Sequence, residues 1–348
     1  MSRVIISGVV VAGFIIVALH AVVFPLHNDI QKSSRATANC IKGMMAVLIV
    51  LSHVHNYYSN IGLIKLFSPF GYIGVTVFFF YSGYGVAKNT WENASYLDDY
   101  WVKRLSKIYV PYIVATIIYI GVLLITGQAL PKICDVVIAL SAIKRLLPYS
   151  WYVSIVLLWY LLWYFCSKVA KNQKHTLVAV SVVLAAYFIV CGVLEVGPFY
   201  YKSIICLWIG VYFAYTEKVS NAAFNPNVRI ILIAGALFIL SIFGLYKYER
   251  YDDIIYSIIV SISSASFIVI VQCCLSKGLK FYNSVANFLG NISYEIYLLQ
   301  GPVFILCKNV CKDNFALFLQ LSLMGLIVIS YIISFLDKKA IALIKSLR

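Results

Sequence analysis

The sequence predicts an all-α fold, a polytopic membrane helix bundle with about eleven transmembrane helices, and two observations carry that prediction. Of the 348 residues 62% are hydrophobic and only 12% are charged. A soluble domain carries roughly 25% charged residues, so this chain lacks the side chains for a water-facing surface. Apolar runs also recur along the whole chain, and about 20 such residues suffice to cross a ~30 Å hydrocarbon layer as a helix. Spans are expected near 4–26, 43–59, 70–88, 108–127, 151–166, 176–195, 199–216, 228–246, 254–275, 286–307 and 315–336. The longest segments between them, 27–42, 89–107 and 128–150, are loop-sized. With no soluble domain, chemistry is confined to the bundle and its two mouths.

The first span resembles a signal peptide in length, but Phe24-Pro25-Leu26-His27 stands where a small-residue cleavage site would be, so it is read as retained. Basic residues orient the rest. With the N-terminus outside, 18 of the 28 Lys/Arg fall on the side of the C-terminal tail and 10 on the other, which favours a cytoplasmic C-terminus. The net charge of +15 is spread over short loops. It suits anionic lipid headgroups as partners and argues against nucleic acid. The nine cysteines form no CxxC pair, and no metal site is expected; they read mostly as small apolar residues, including Cys307 and Cys311 one turn apart.

The second span carries the first candidate chemistry. Lys42 and His53 are separated by eleven residues, about 1100° of helix and so ~20° from three full turns, which puts both on one face ~16 Å apart along the axis. If Lys42 sits at the inner headgroup boundary, His53 lies near the middle of the bilayer. His55 points ~200° away, so only one of the two can line a given cavity. An ionisable residue at that depth usually faces a polar cavity or partner; an interhelical hydrogen bond is the plainer alternative. The third span repeats small residues at Gly71, Gly74, Ser82, Gly83 and Gly85, a pattern for close helix packing. Lys103, Arg104 and Lys107 then cluster before Tyr109 and Pro111, either as a positive-inside signal or as cations for a phosphate-bearing ligand. The outer loop Tyr246 to Asp253 offers aromatics and charges that suit a sugar, or simply a solvated turn. Glu295, Gln300 and Pro302 share one late span, with Glu295 placed near its solvated boundary.

These residues together resemble the acyltransferase 3 family, integral membrane enzymes that O-acylate cell-surface and secreted carbohydrates in bacteria. Five blocks follow the family's order from about residue 35 to 336: Lys42 to His53, with lysine where arginine is usual; Gly71 to Gly85; Lys103 to Tyr112; Ser150-Trp151-Tyr152-Val153-Ser154; and Ser293 to Pro302. Two departures stand out. An acid common after the Trp block is replaced by Ile155, Val156 and Leu157, and a histidine common before the late proline is Gln300. The chain also lacks the C-terminal esterase-like domain of some relatives.

The resemblance implies a ten-helix acyltransferase core over 35–348, preceded by an extra transmembrane helix and loop over 1–34, in a bacterial cell membrane. It implies acyl-CoA, simplest as acetyl-CoA, as a donor substrate rather than a bound cofactor. The donor's phosphates would meet Lys42, Lys103, Arg104 and Lys107. His53 would be the catalytic base, and Ser82 or Tyr84 would donate to the oxyanion. Trp151, Ser154, Ser293, Tyr294 and Glu295 would support the site, and the acceptor would be a hydroxyl of a carbohydrate, lipid-linked or nascent. The competing class is a polytopic transporter or glycan flippase with His53, Glu295 and Gln300 along a pathway. Against it, the sequence shows no internal repeat and no matched pair of broken helices.

Overall fold

The computed structural model describes residues 2–23, 34–58, 62–141, 145–220, 226–248, 254–279 and 281–346. Each of the eleven expected spans overlaps a helix, because the apolar runs leave the backbone no partners in lipid except its own. In chain order the helices are α1 (Ser2–Val23), α2 (Ser34–Val54), α3 (Gly62–Lys65), α4 (Phe70–Glu92), α5 (Tyr100–Ile125), α6 (Ile133–Leu140) and α7 (Trp151–Val169). They continue as α8 (Gln173–Val193), α9 (Ile205–Ser220), α10 (Val228–Lys247), α11 (Ile254–Ser276), α12 (Ser284–Asn291), α13 (Ser293–Cys311) and α14 (Phe315–Ser346). Eight of them, α2, α4, α5, α7, α8, α10, α11 and α14, are long and apolar enough to cross a membrane among the described residues. Polar side chains mark several starts. Asn172 accepts from the His175 N–H, Asn227 from Arg229, and Asn283 from Val285 and Ala286, each satisfying helix donors that have no intrahelical acceptor.

Two boundaries differ from expectation in ways that bear on the site. The expected span 43–59 is a helix over Ser34–Val54, so Lys42 lies within the helix and His53 is its penultimate residue. The polar run Ser34 to Lys42 is helical because it packs on α12 and α13 instead of forming a loop. The expected span 286–307 is two helices, broken at Ile292 (φ −121°, ψ 12°) after the Gly290-Asn291 pair. The sugar-loop candidate over 246–253 lies outside the described residues beyond Tyr248. All nine cysteines are unbridged.

The chain falls into two compact units. The first comprises residues 1–71, 100–157 and 282–348. Its centre is α13, packed against α2, α5 and α14, with α12 lying along α2 and α1 resting on α3, α12 and α14. Glycines let α2 and α12 touch backbone to backbone. A Cβ at Gly43 would strike the Ala286 carbonyl and the Gly290 amide, and one at Gly290 would strike Asn39. The Asn39 amide donates to Asn291 across the same contact at 2.8 Å. Close approach of this kind is how helices associate where lipid supplies no hydrophobic drive.

The second unit comprises residues 72–99 and 158–281. The same device joins α4 to α9: a Cβ at Gly83 would meet the Leu207 carbonyl, and one at Gly210 the Phe80 carbonyl. Of the small residues read as a packing pattern, Gly83 is thus at a backbone contact, while Gly85 has open space around it. Trp163 donates to Thr90 at 3.1 Å and Trp208 to Ser181 at 2.8 Å, so these two indole N–H groups find partners inside the unit. On α10 the buried residues Ala234, Ser241 and Leu245 form a single stripe. That helix packs on α11, and its exposed Leu232, Ile233, Ile239, Leu240 and Phe243 form a surface suited to lipid.

Candidate functional site

The site is built at the end of α2, in the first unit. Beyond Val54 the chain turns, and Tyr57 and Tyr58 pin it to α13 and α14. The Tyr57 ring meets Phe304 at 5.4 Å and Phe318 at 5.6 Å, and the Tyr58 hydroxyl donates to the Lys312 carbonyl at 2.8 Å. Burial, followed by the neighbouring Tyr149, raises the Tyr57 pKa, so that hydroxyl stays protonated at neutral pH.

His53 is partly buried and held on two sides. Its Nδ1 lies 2.8 Å from Gln300 Oε1 on α13. Its ring stacks on Tyr149, centroids 3.9 Å apart and planes 18° off parallel. Gln300 is fully buried and its Nε2 donates to the Tyr297 carbonyl at 2.8 Å. The Tyr297 hydroxyl donates in turn to the Tyr149 carbonyl and accepts from the Tyr152 N–H at 3.2 Å. Asn56 donates to the Tyr149 hydroxyl at 3.4 Å. These contacts close a ring: His53 to Gln300, along α13 to Tyr297, across to Tyr149, and back to His53.

Tyr149 adopts φ 65°, a left-handed conformation uncommon for a residue with a Cβ and costing on the order of 1–3 kcal/mol. Surrounding structure enforces it. Gly301 offers a surface on which Pro148 sits, where a Cβ would come within 2.7 Å of the proline ring. The sequence does not single out Tyr149, and it marks Gln300 only as the replacement for a histidine and as a member of the competing transport pathway. The Pro148-Tyr149-Ser150-Trp151 run carries no periodicity, and nothing local ties Gln300 to His53, 247 residues before it.

His55 faces elsewhere, as its spacing predicts. Burial and then the Lys65 charge lower its pKa, which favours the neutral ring. Glu295 departs from expectation: it is 8% exposed, not solvated, and it faces Ser334, Asp337 and Lys338 of α14. The helix-to-helix packing of α13 on α14 covers it.

The basic candidates gather at the other end of α2. Lys42 stands close enough to Arg35 and Lys107 to feel their charges, and Lys107 likewise to Arg104, Arg35 and Lys345. Cations from α2, α5 and α14 thus crowd one place, and Arg35 and Lys345 extend the set read from sequence. Lys103 sits one residue before Arg104 on α5 and is partly buried. Tyr294 ties the start of α13 to α5 by donating to the Ile108 carbonyl at 2.9 Å, and Ser293 donates to Gly290 at 2.9 Å. Trp151 is buried at the start of α7, with Ser154 one turn on. Ser82 and Tyr84 belong to the second unit. There the Tyr84 hydroxyl donates to Glu217 at 2.7 Å and accepts from Lys88 at 2.9 Å.

Fold and site together define an integral membrane protein of helices, with one imidazole held at the end of α2 and a crowd of cations along the same helix. The chain belongs to the acyltransferase 3 family, matching its acyltransferase domain over residues 35–336 and leaving α1 outside the match. It is therefore a membrane acyltransferase. No curated protein and no solved structure matches the chain.

Proposed function

We propose that the protein transfers an acyl group, simplest as acetyl, from acyl-CoA to a hydroxyl of a cell-surface or exported carbohydrate. It would do so in a bacterial cell membrane with its C-terminus in the cytoplasm. One observation supports this above the others: Lys42 and His53 share a face of α2 about 16 Å apart, with Arg35 and Lys107 beside Lys42. A donor with phosphates at one end and a thioester at the other end of a thin arm suits such a span. The cations attract the phosphates, with arginine forks able to bind them in pairs.

In the transfer step His53 takes the proton of the acceptor hydroxyl as that oxygen bonds to the thioester carbonyl carbon. The C–S bond then breaks, and the leaving thiolate recovers the proton from the imidazolium, giving the carbohydrate ester and free CoA. General-base help of this kind is worth about 10²–10⁴ in rate.

The test is acetyl-CoA thioester turnover by detergent-purified protein with candidate glycans added. Turnover that requires both acceptor and His53, and survives His55→Ala, is expected. Equal turnover in wild type and His53→Ala would remove His53 as the base. A transporter would show no acceptor-dependent thioester cleavage at all.

A further inference from the structure

We propose that Gln300 is a positioning residue that fixes the tautomer of His53, so that the proton-accepting atom is Nε2. The inference rests on His53 being the base, and it adds which nitrogen acts and what holds it. A neutral imidazole has one N–H donor and one lone-pair acceptor, and its partner decides which is which. An amide oxygen only accepts. With Gln300 Oε1 2.8 Å from Nδ1, the proton is on Nδ1.

The orientation of the Gln300 amide has a constraint independent of His53. The Tyr297 carbonyl supplies it. Gln300 Nε2 donates to that carbonyl at 2.8 Å. The exchanged amide would set oxygen against oxygen there, in a residue with no exposure to water. The orientation, and with it the tautomer, is therefore dictated by backbone.

The plane of the ring is set separately. Tyr149 stacks on it at 3.9 Å, and the Tyr149 backbone is fixed by the Tyr297 hydroxyl. Gln300 and Tyr149 thus anchor the imidazole on two sides, both through Tyr297, and leave the nitrogen turned away from Gln300 for the acceptor hydroxyl. The same arrangement gives the proton a fixed place to return from when the thiolate leaves.

The experiment pairs two readouts. In protein labelled with ¹⁵N-histidine, the His53 signals, assigned by their loss in His53→Ala, report directly which nitrogen bears hydrogen. Wild type is expected to show Nδ1–H, and Gln300→Met, which cannot accept in the same way, a mixture of tautomers. In thioester turnover, Gln300→Met is expected to lower kcat about 10- to 100-fold with KM for acetyl-CoA within about 2-fold, since the donor's phosphates bind elsewhere. In Gln300→Glu a protonated carboxyl can accept from Nδ1 with one oxygen and donate to the Tyr297 carbonyl with the other, so this variant is expected to restore most of kcat, which separates tautomer control from mere packing. An Nε2–H tautomer in wild type, or unchanged tautomer and kcat in Gln300→Met, would overturn the proposal. If wild type shows no acetyl-CoA turnover with any glycan, the proposed donor and acceptor fail, while the nitrogen signals still decide what Gln300 does.

Discussion

Two groups of cations, one in each unit, are treated in opposite ways. In the second, Lys88 lies 3.2 Å from Glu217 and donates to Tyr84, and the fully buried Lys202 sits 3.7 Å over the Tyr72 ring and 5.0 Å from that of Tyr256. Each has an internal partner of complementary charge or quadrupole. In the first, Arg35, Lys42, Arg104, Lys107 and Lys345 repel one another. Gathered like charge opposes folding through self-repulsion, and a surface lined by one sign of charge concentrates counter-ions. The contrast gives Lys88 and Lys202 an architectural role and suits the first unit's cluster to the anionic donor proposed above.

The largest effect should come from the imidazole. His53→Ala is expected to lower acceptor-dependent thioester turnover by about 10²–10⁴, while His55→Ala changes it by less than about 3-fold. A purely structural His53 would instead lower the melting temperature in proportion to activity, and thermal unfolding of the purified variants separates the cases. Next come the backbone contacts, which both units use. Gly43→Leu and Gly83→Leu each force a side chain into a neighbouring helix's carbonyl. Each is expected to destabilise by at least about 1–3 kcal/mol. Gly121→Ala, with open space around it, should be neutral or stabilising by up to ~1 kcal/mol. If Gly43→Leu melts like wild type, the close packing of α2 on α12 is wrong.

Much of the fold was legible in the sequence because lipid imposes one local rule. Every apolar run of sufficient length must satisfy its own backbone, and so each of the eleven expected spans contains helix. What escaped was set by contacts distant in sequence. Ser34 to Lys42 looks like a polar loop until Asn39 meets Asn291 and Gly43 meets Ala286. The burial of Glu295 depends on α14, some forty residues away. In the site, the spacing of Lys42 and His53 could be computed from helix geometry, whereas Gln300 and Tyr149 approach His53 from positions 247 residues after it and in the segment before α7. No period in the sequence encodes a stack or a shared proton.

The smallest predicted effects cut most directly at the comparison between units, because they ask the same substitution to do different things. Lys42→Gln combined with Lys107→Gln removes two of the mutually repelling charges. KM for acyl-CoA should rise about 10-fold, roughly 1.4 kcal/mol of binding, and the difference from wild type should shrink as salt screens the phosphates. The melting temperature should hold or rise, since repulsion has been relieved. Lys88→Gln removes a charge of the same sign from the second unit, where it leaves Glu217 and Tyr84 without their cation. Because that pair is a third exposed, the loss should be only about 0.2–1 kcal/mol of stability, read as a small fall in melting temperature with KM unchanged. Opposite signs on stability for two removals of lysine would tie the crowding of the first unit to anion binding. A fall in both would mean that its cations, too, are held by the protein itself.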